Sequence, residues 1–140
     1  MYIFICENSP NGILTGVYDA WSLKIEKSCS HSDIFLLSEQ PDNYELFNEF
    51  YTVVPSSEKA EKVASTLRRK LGQDFYDKIL SAILAVELSS KKKMDKANAV
   101  YQTIVTALHS PHGAKVVGRI LRTFKIKKNV EVTDNGKIII

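Results

Sequence analysis

The order of elements in this sequence predicts an α+β fold: an N-terminal β-α-β-β unit, a four-helix segment and a C-terminal hairpin. Three observations carry that expectation. Tyr2–Cys6 is a continuous apolar run, apolar stripes of helical period recur beyond Pro55, and Asn135-Gly136 sits between short extended stretches near the end. A chain of 140 residues fits one domain, with residues 1–55 as the β-α-β-β portion, 56–125 as the helical portion and 126–140 as the hairpin.

Each element has a local reason. Tyr2–Cys6 mixes β-branched and aromatic residues without polar alternation, as in a strand covered on both faces. Asn8-Ser-Pro-Asn-Gly12 is a turn cluster in which Ser9 or Asn11 can cap a helix over about Ile13–Lys24. Asp33–Ser38 reads as the second strand, paired parallel with the first through a right-handed crossover. Pro41-Asp-Asn43 is a turn and Tyr44–Val54 a third extended stretch. Ser56 or Ser57 caps the next helix, whose stripe Ala60, Val63, Ala64, Leu67 and Leu71 ends at Gly72. Asp74 is placed to cap a helix with Phe75, Ile79, Ala82, Ile83 and Val86 on one face. Ser89–Lys93 reads as a loop, about Met94–His109 as a third helix of this segment, and Ala114–Phe124 as a fourth beyond a break at Ser110–Gly113.

Composition narrows the function classes. The chain is 44% hydrophobic and 25% charged, the profile of a globular protein. No run of about 18 apolar residues is present, which argues against a membrane partner. The start lacks the pattern of a secretory leader, and two cysteines, Cys6 and Cys29, are too few for a disulfide framework, so a cytoplasmic location is expected. Charge is divided: residues 1–57 hold Lys24 and Lys27 against eight acidic residues, whereas 58–140 hold seventeen basic residues against eight acidic ones. A chain whose second half is this basic is expected to meet a polyanion or an acidic partner, although lysines also simply solvate helical surfaces.

Six segments stand in order along the chain: Met1–Glu7, Gly12–Thr15, Val17–Trp21, Tyr44–Phe47, Glu58–Ala64 and the Ala97-x-x-Val-Tyr101 motif. On these the chain, over about residues 1–110, resembles a bacterial family described as DNA metabolism proteins. Members of that family accompany a radical-SAM protein and are sometimes joined to a uracil-DNA-glycosylase-like domain. The resemblance implies a role in DNA repair or processing, with such proteins as partners, and brings no catalytic residues. Fuller members continue through a basic and aromatic segment that has no counterpart here.

The strongest nucleic-acid signal is on the expected fourth helix. Lys115, Arg119 and Arg122 follow i, i+4, i+7, with Lys125, Lys127 and Lys128 beyond them, a stripe able to meet successive phosphates. The same stripe also suits a solvated helix end. Arg68-Arg-Lys70 and Lys91–Lys93 are secondary candidates, and a hairpin carrying Lys137 could act as a wing or merely complete a sheet. Cys29-x-His31 and His109-x-x-His112 offer zinc-ligand types at non-standard spacings, and are better read as unrelated loop residues. Tyr18 and Trp21 could stack a base, but their spacing with Leu14 and Val17 favours core. Glu7 and Asp19 could serve acid–base chemistry but better suit capping or ion pairing. No catalytic, metal or cofactor motif is found. The sequence therefore implies a non-catalytic accessory domain touching DNA through its basic helical half. The alternatives are a protein-docking or homodimerising module, with Ile138–Ile140 pairing edge to edge, and a fragment of a nucleotide- or base-acting enzyme.

Overall fold

The computed structural model describes residues 1–85, 87–89, 95–110 and 125–127. It is an α+β fold in which one small sheet carries helices from both halves of the chain. Strand β1 (Tyr2–Ile5) leads into α1 (Pro10–Lys27), and β2 (Ile34–Leu37) and β3 (Glu49–Thr52) follow. Then come α2 (Ser57–Leu71), α3 (Gln73–Leu84), β4 (Glu87–Ser89), α4 (Lys96–His109) and β5 (Lys125–Lys127).

The first sheet has the order β2-β1-β3 and is parallel throughout. Phe4 is aligned with Leu36 on one side and Tyr51 on the other, so the apolar run at the start of the chain becomes the central strand. Its burial on both faces explains why it lacks polar alternation: Ile3, Phe4 and Ile5 are all buried. One face, with Phe4, Cys6, Ile34, Leu36 and Val53, packs into the main core beneath α1. That core continues through Leu67 of α2, Phe75 and Ile79 of α3, and Val100, Tyr101 and Ile104 of α4.

Helix boundaries follow their caps. Ser9 Oγ accepts from Gly12 N at 3.0 Å and Pro10 occupies the first turn, so α1 begins three residues before its apolar stripe. The helix continues past Lys24 to a left-handed Ser28. Ser56 caps α2 by accepting from Lys59 N at 3.2 Å. Gly72, at φ 95°, both ends α2 and precedes α3, a backbone position that a side chain would strain. Asp74 lies inside the first turn of α3 and is not its cap. Asp95 caps α4 through Ala97 N at 2.8 Å, so that helix starts at Lys96, two residues after the expected Met94.

Other expectations need narrowing or correction. Only Glu49–Thr52 of the 44–54 stretch pairs with β1, because the preceding residues arch between β2 and β3 and pass their apolar groups outward. Ser89, expected in a loop, closes β4, which pairs antiparallel with β5 in the register Glu87↔Lys127 and Ser89↔Lys125. The helical portion is therefore interrupted by a two-stranded sheet: extended backbone there gains partners that no local pattern could reveal. The expected fourth helix at 114–124 and the turn at Asn135-Gly136 lie outside the described residues.

Candidate nucleic-acid interface

Helices α1, α2 and α4 meet around a groove of about 510 Å³. α1 contributes Val17, Tyr18, Trp21, Ser22 and Ile25; α2 contributes Lys62, Val63, Thr66, Leu67 and Lys70; α4 contributes Ile104, Leu108 and His109. The groove follows from amphipathic periodicity. α1 buries Ile13, Leu14, Val17 and Ala20 against the sheet and α2, which leaves Tyr18 and Trp21 half-buried along its flank. Lys62, Thr66 and Lys70 recur every four residues on α2, so the two ammonium groups spring from backbone about 12 Å apart along the helix axis.

Charge in the groove has one sign. Among the described residues that line it, none is acidic. Lys62 and Lys70 make no ion pair among the described residues, whereas Lys59 and Arg68 of the same helix are bound to Asp19 at 2.9 Å and Glu61 at 2.6 Å. Lys59 also lies over the Tyr18 ring, 5.4 Å from its centroid, and so fixes that aromatic at the groove edge.

The aromatic wall is built from residues far apart in sequence. Trp21 meets His31 edge-on at 4.5 Å and lies nearly parallel to His109 at 6.1 Å. His31 Nδ1 is hydrogen-bonded to the Tyr101 hydroxyl, while its Nε2 is buried and meets no hydrogen-bond partner among the described residues. Burial, followed by the charges of Lys24 and His109, lowers the His31 pKa from 6.5, which disfavours its imidazolium form. Burial likewise raises that of Tyr101. His109 donates from Nδ1 to Val105 O at 2.8 Å.

The carboxyl ends of the strands, where open α/β sheets hold ligands, are filled by the protein itself. Lys96 reaches into this region and donates to Ala85 O at 2.8 Å, Ile83 O at 3.0 Å and Asn8 Oδ1 at 3.2 Å. Desolvation lowers its pKa despite the neighbouring Asp95. Glu7 accepts from Ser9 Oγ at 2.8 Å, and Asp19 is held by Lys59, so both carboxylates serve capping and pairing. Buried Cys6 is pushed up to about 12, chiefly by desolvation, and stays a thiol.

The sequence-predicted cations divide accordingly. Lys115, Arg119, Arg122 and Lys128 lie outside the described residues, and Lys125 and Lys127 belong to β5 rather than to a helix end. Arg68 is ion-paired and Lys70 lines the groove. Tyr18 and Trp21, read from spacing as core, are half-buried and face the groove. Cys29 and His31 flank the aromatic wall, and His112 lies outside the described residues; no three His, Cys, Asp or Glu residues form a metal-holding group among those described. Lys62 and Thr66 escaped the sequence reading, although their i, i+4, i+8 spacing with Lys70 was visible. The chain matches no protein-family model, no curated protein and no solved structure.

Proposed function

We propose that this protein is a non-catalytic accessory domain in bacterial DNA repair or processing, and that it holds a single strand of DNA in the groove between α1, α2 and α4. The groove itself carries the proposal: half-buried Trp21 and Tyr18 stand beside Lys62 and Lys70, with no lining acid among the described residues. Aromatic rings accept bases of any identity by stacking, and ammonium groups track phosphates, the pairing that suits strand binding without sequence preference. The ordered blocks that resemble the DNA-metabolism family supply DNA as the polyanion. Lys115, Arg119, Arg122, Lys125, Lys127 and Lys128 follow α4 in sequence and extend the supply of cations.

Fluorescence anisotropy with labelled single- and double-stranded oligonucleotides tests the proposal. Binding at low salt is expected to favour the single strand and to quench Trp21. Its logarithm should fall linearly with the logarithm of salt concentration. Lys62→Glu/Lys70→Glu should weaken binding and flatten the slope by roughly one to two units. No binding to either form at low salt overturns the proposal. A second reading, a protein-docking module, is favoured by a different surface.

A further inference from the structure

We infer that the outer edge of β3, together with the arch between β2 and β3, is a docking site for an extended, basic and aliphatic segment of a partner protein. The two edges of the parallel sheet are treated differently. On β2 the outward amides are already taken: Leu36 N donates to Asn98 Oδ1 at 3.2 Å, and Ser38 N donates to Asp95 Oδ1 at 3.0 Å. α4 thus stands in for a further strand. On β3 the amides of Glu49 and Val53 point inward, donating to Met1 O and Ile5 O at 2.9 Å each. Alternation then turns those of Phe50 and Thr52 outward, and no acceptor meets them among the described residues.

Apolar groups line the approach. Phe47 is 90% and Leu46 85% exposed, and Tyr44 rests edge-on against Phe50 at 4.6 Å. Two adjacent large side chains this exposed beside an open strand edge offer anchoring for alternate side chains of an added strand.

Charge selects the occupant. No Lys or Arg occurs between Lys27 and Lys59, and Glu39, Asp42, Glu45 and Glu49 are all exposed. A strand in which Lys or Arg alternates with aliphatic residues satisfies both the carboxylates and the apolar groups. A second copy of β3 would instead set acid against acid, and the chain's own Lys125-Ile-Lys127 is already paired with β4. The site shares no residue with the groove, so each can be removed without the other.

The probe is a fluorescein-labelled eight-residue peptide alternating lysine with valine and isoleucine, added to the full chain. Saturable binding is expected, with slowed hydrogen exchange at the Phe50 and Thr52 amides. Phe47→Ser and Glu45→Lys/Glu49→Lys should each weaken it at least tenfold, while Lys62→Glu/Lys70→Glu leaves it unchanged; circular dichroism melts of the variants verify folding. A peptide N-methylated at alternate amides should not bind. Equal binding by that peptide, or by one with glutamate in place of lysine, overturns the inference. So does a concentration-dependent dimer abolished by Phe47→Ser, which would assign the edge to a second copy.

Discussion

At the scale of single residues, the contact between Gly16 and Cys6 sets how closely α1 lies on the sheet. A Cβ at Gly16 would overlap Cys6 Sγ and crowd Leu36, and Cys6 is buried with nowhere to move. Gly16→Ala should cost about 1–3 kcal/mol, the usual penalty for overpacking. Cys6→Ala/Gly16→Ala should recover much of that loss in urea denaturation, because the remaining Cys6 Cβ stands at ordinary contact distance. His31 makes a second residue-scale prediction. Its lowered pKa means that the folded state resists the imidazolium, whereas the unfolded chain takes the proton near pH 6.5. The stability cost is therefore absent well above that pH and grows as pH falls through it. Melting temperatures should drop between pH 7 and pH 5, and His31→Gln should flatten that part of the profile.

At the scale of elements, α4 is as much the lock of the sheet as a wall of the groove. Asp95 caps the helix through Ala97 N and accepts from both Ser38 N and Ser38 Oγ, while Asn98 takes the buried Leu36 amide. One turn of helix thus closes the β2 edge without a strand. Asp95→Ala should lower stability by about 2 kcal/mol or more, since it removes a cap and leaves a strand amide unpaired. Hydrogen exchange at Ser38 should accelerate more than at β1. Thr15 plays a similar role elsewhere: its hydroxyl donates to Ser56 O at 3.1 Å and accepts from Ser56 N at 3.0 Å, which pins the start of α2 to α1.

At the scale of the molecule, the acidic and basic halves share one interior. The core runs from Phe4 and Leu36 through Leu67 and Ile79 to Tyr101 and Ile104, so neither half buries its apolar face alone. Urea unfolding followed by far-ultraviolet circular dichroism and by Trp21 fluorescence should give coincident curves. Two separate transitions would show that the halves fold independently. Among the described residues, the basic groups of the second half divide between ion pairs, backbone carbonyls and the groove. Lys59, Arg68 and Lys96 are spent on Asp19, Glu61 and backbone carbonyls, which leaves Lys62 and Lys70 as the groove's cations.

The fold class, the burial of the first strand on both faces and a serine cap at Ser56 or Ser57 for α2 were legible in the sequence because they rest on local rules: apolar continuity, helical period and a serine before an amphipathic run. The register of β3 with β1 and the pairing of β4 with β5 were not, since strand partners are chosen by packing at long range. Tyr18 and Trp21 show the same limit within a site. Helical spacing placed them on α1, but whether they became core or groove wall depended on where α2 and α4 came to rest. Lys96 is the sharpest case: one lysine among seventeen basic residues beyond residue 57, it is distinguished only by the carbonyls of Ile83 and Ala85, which folding brings to its ammonium.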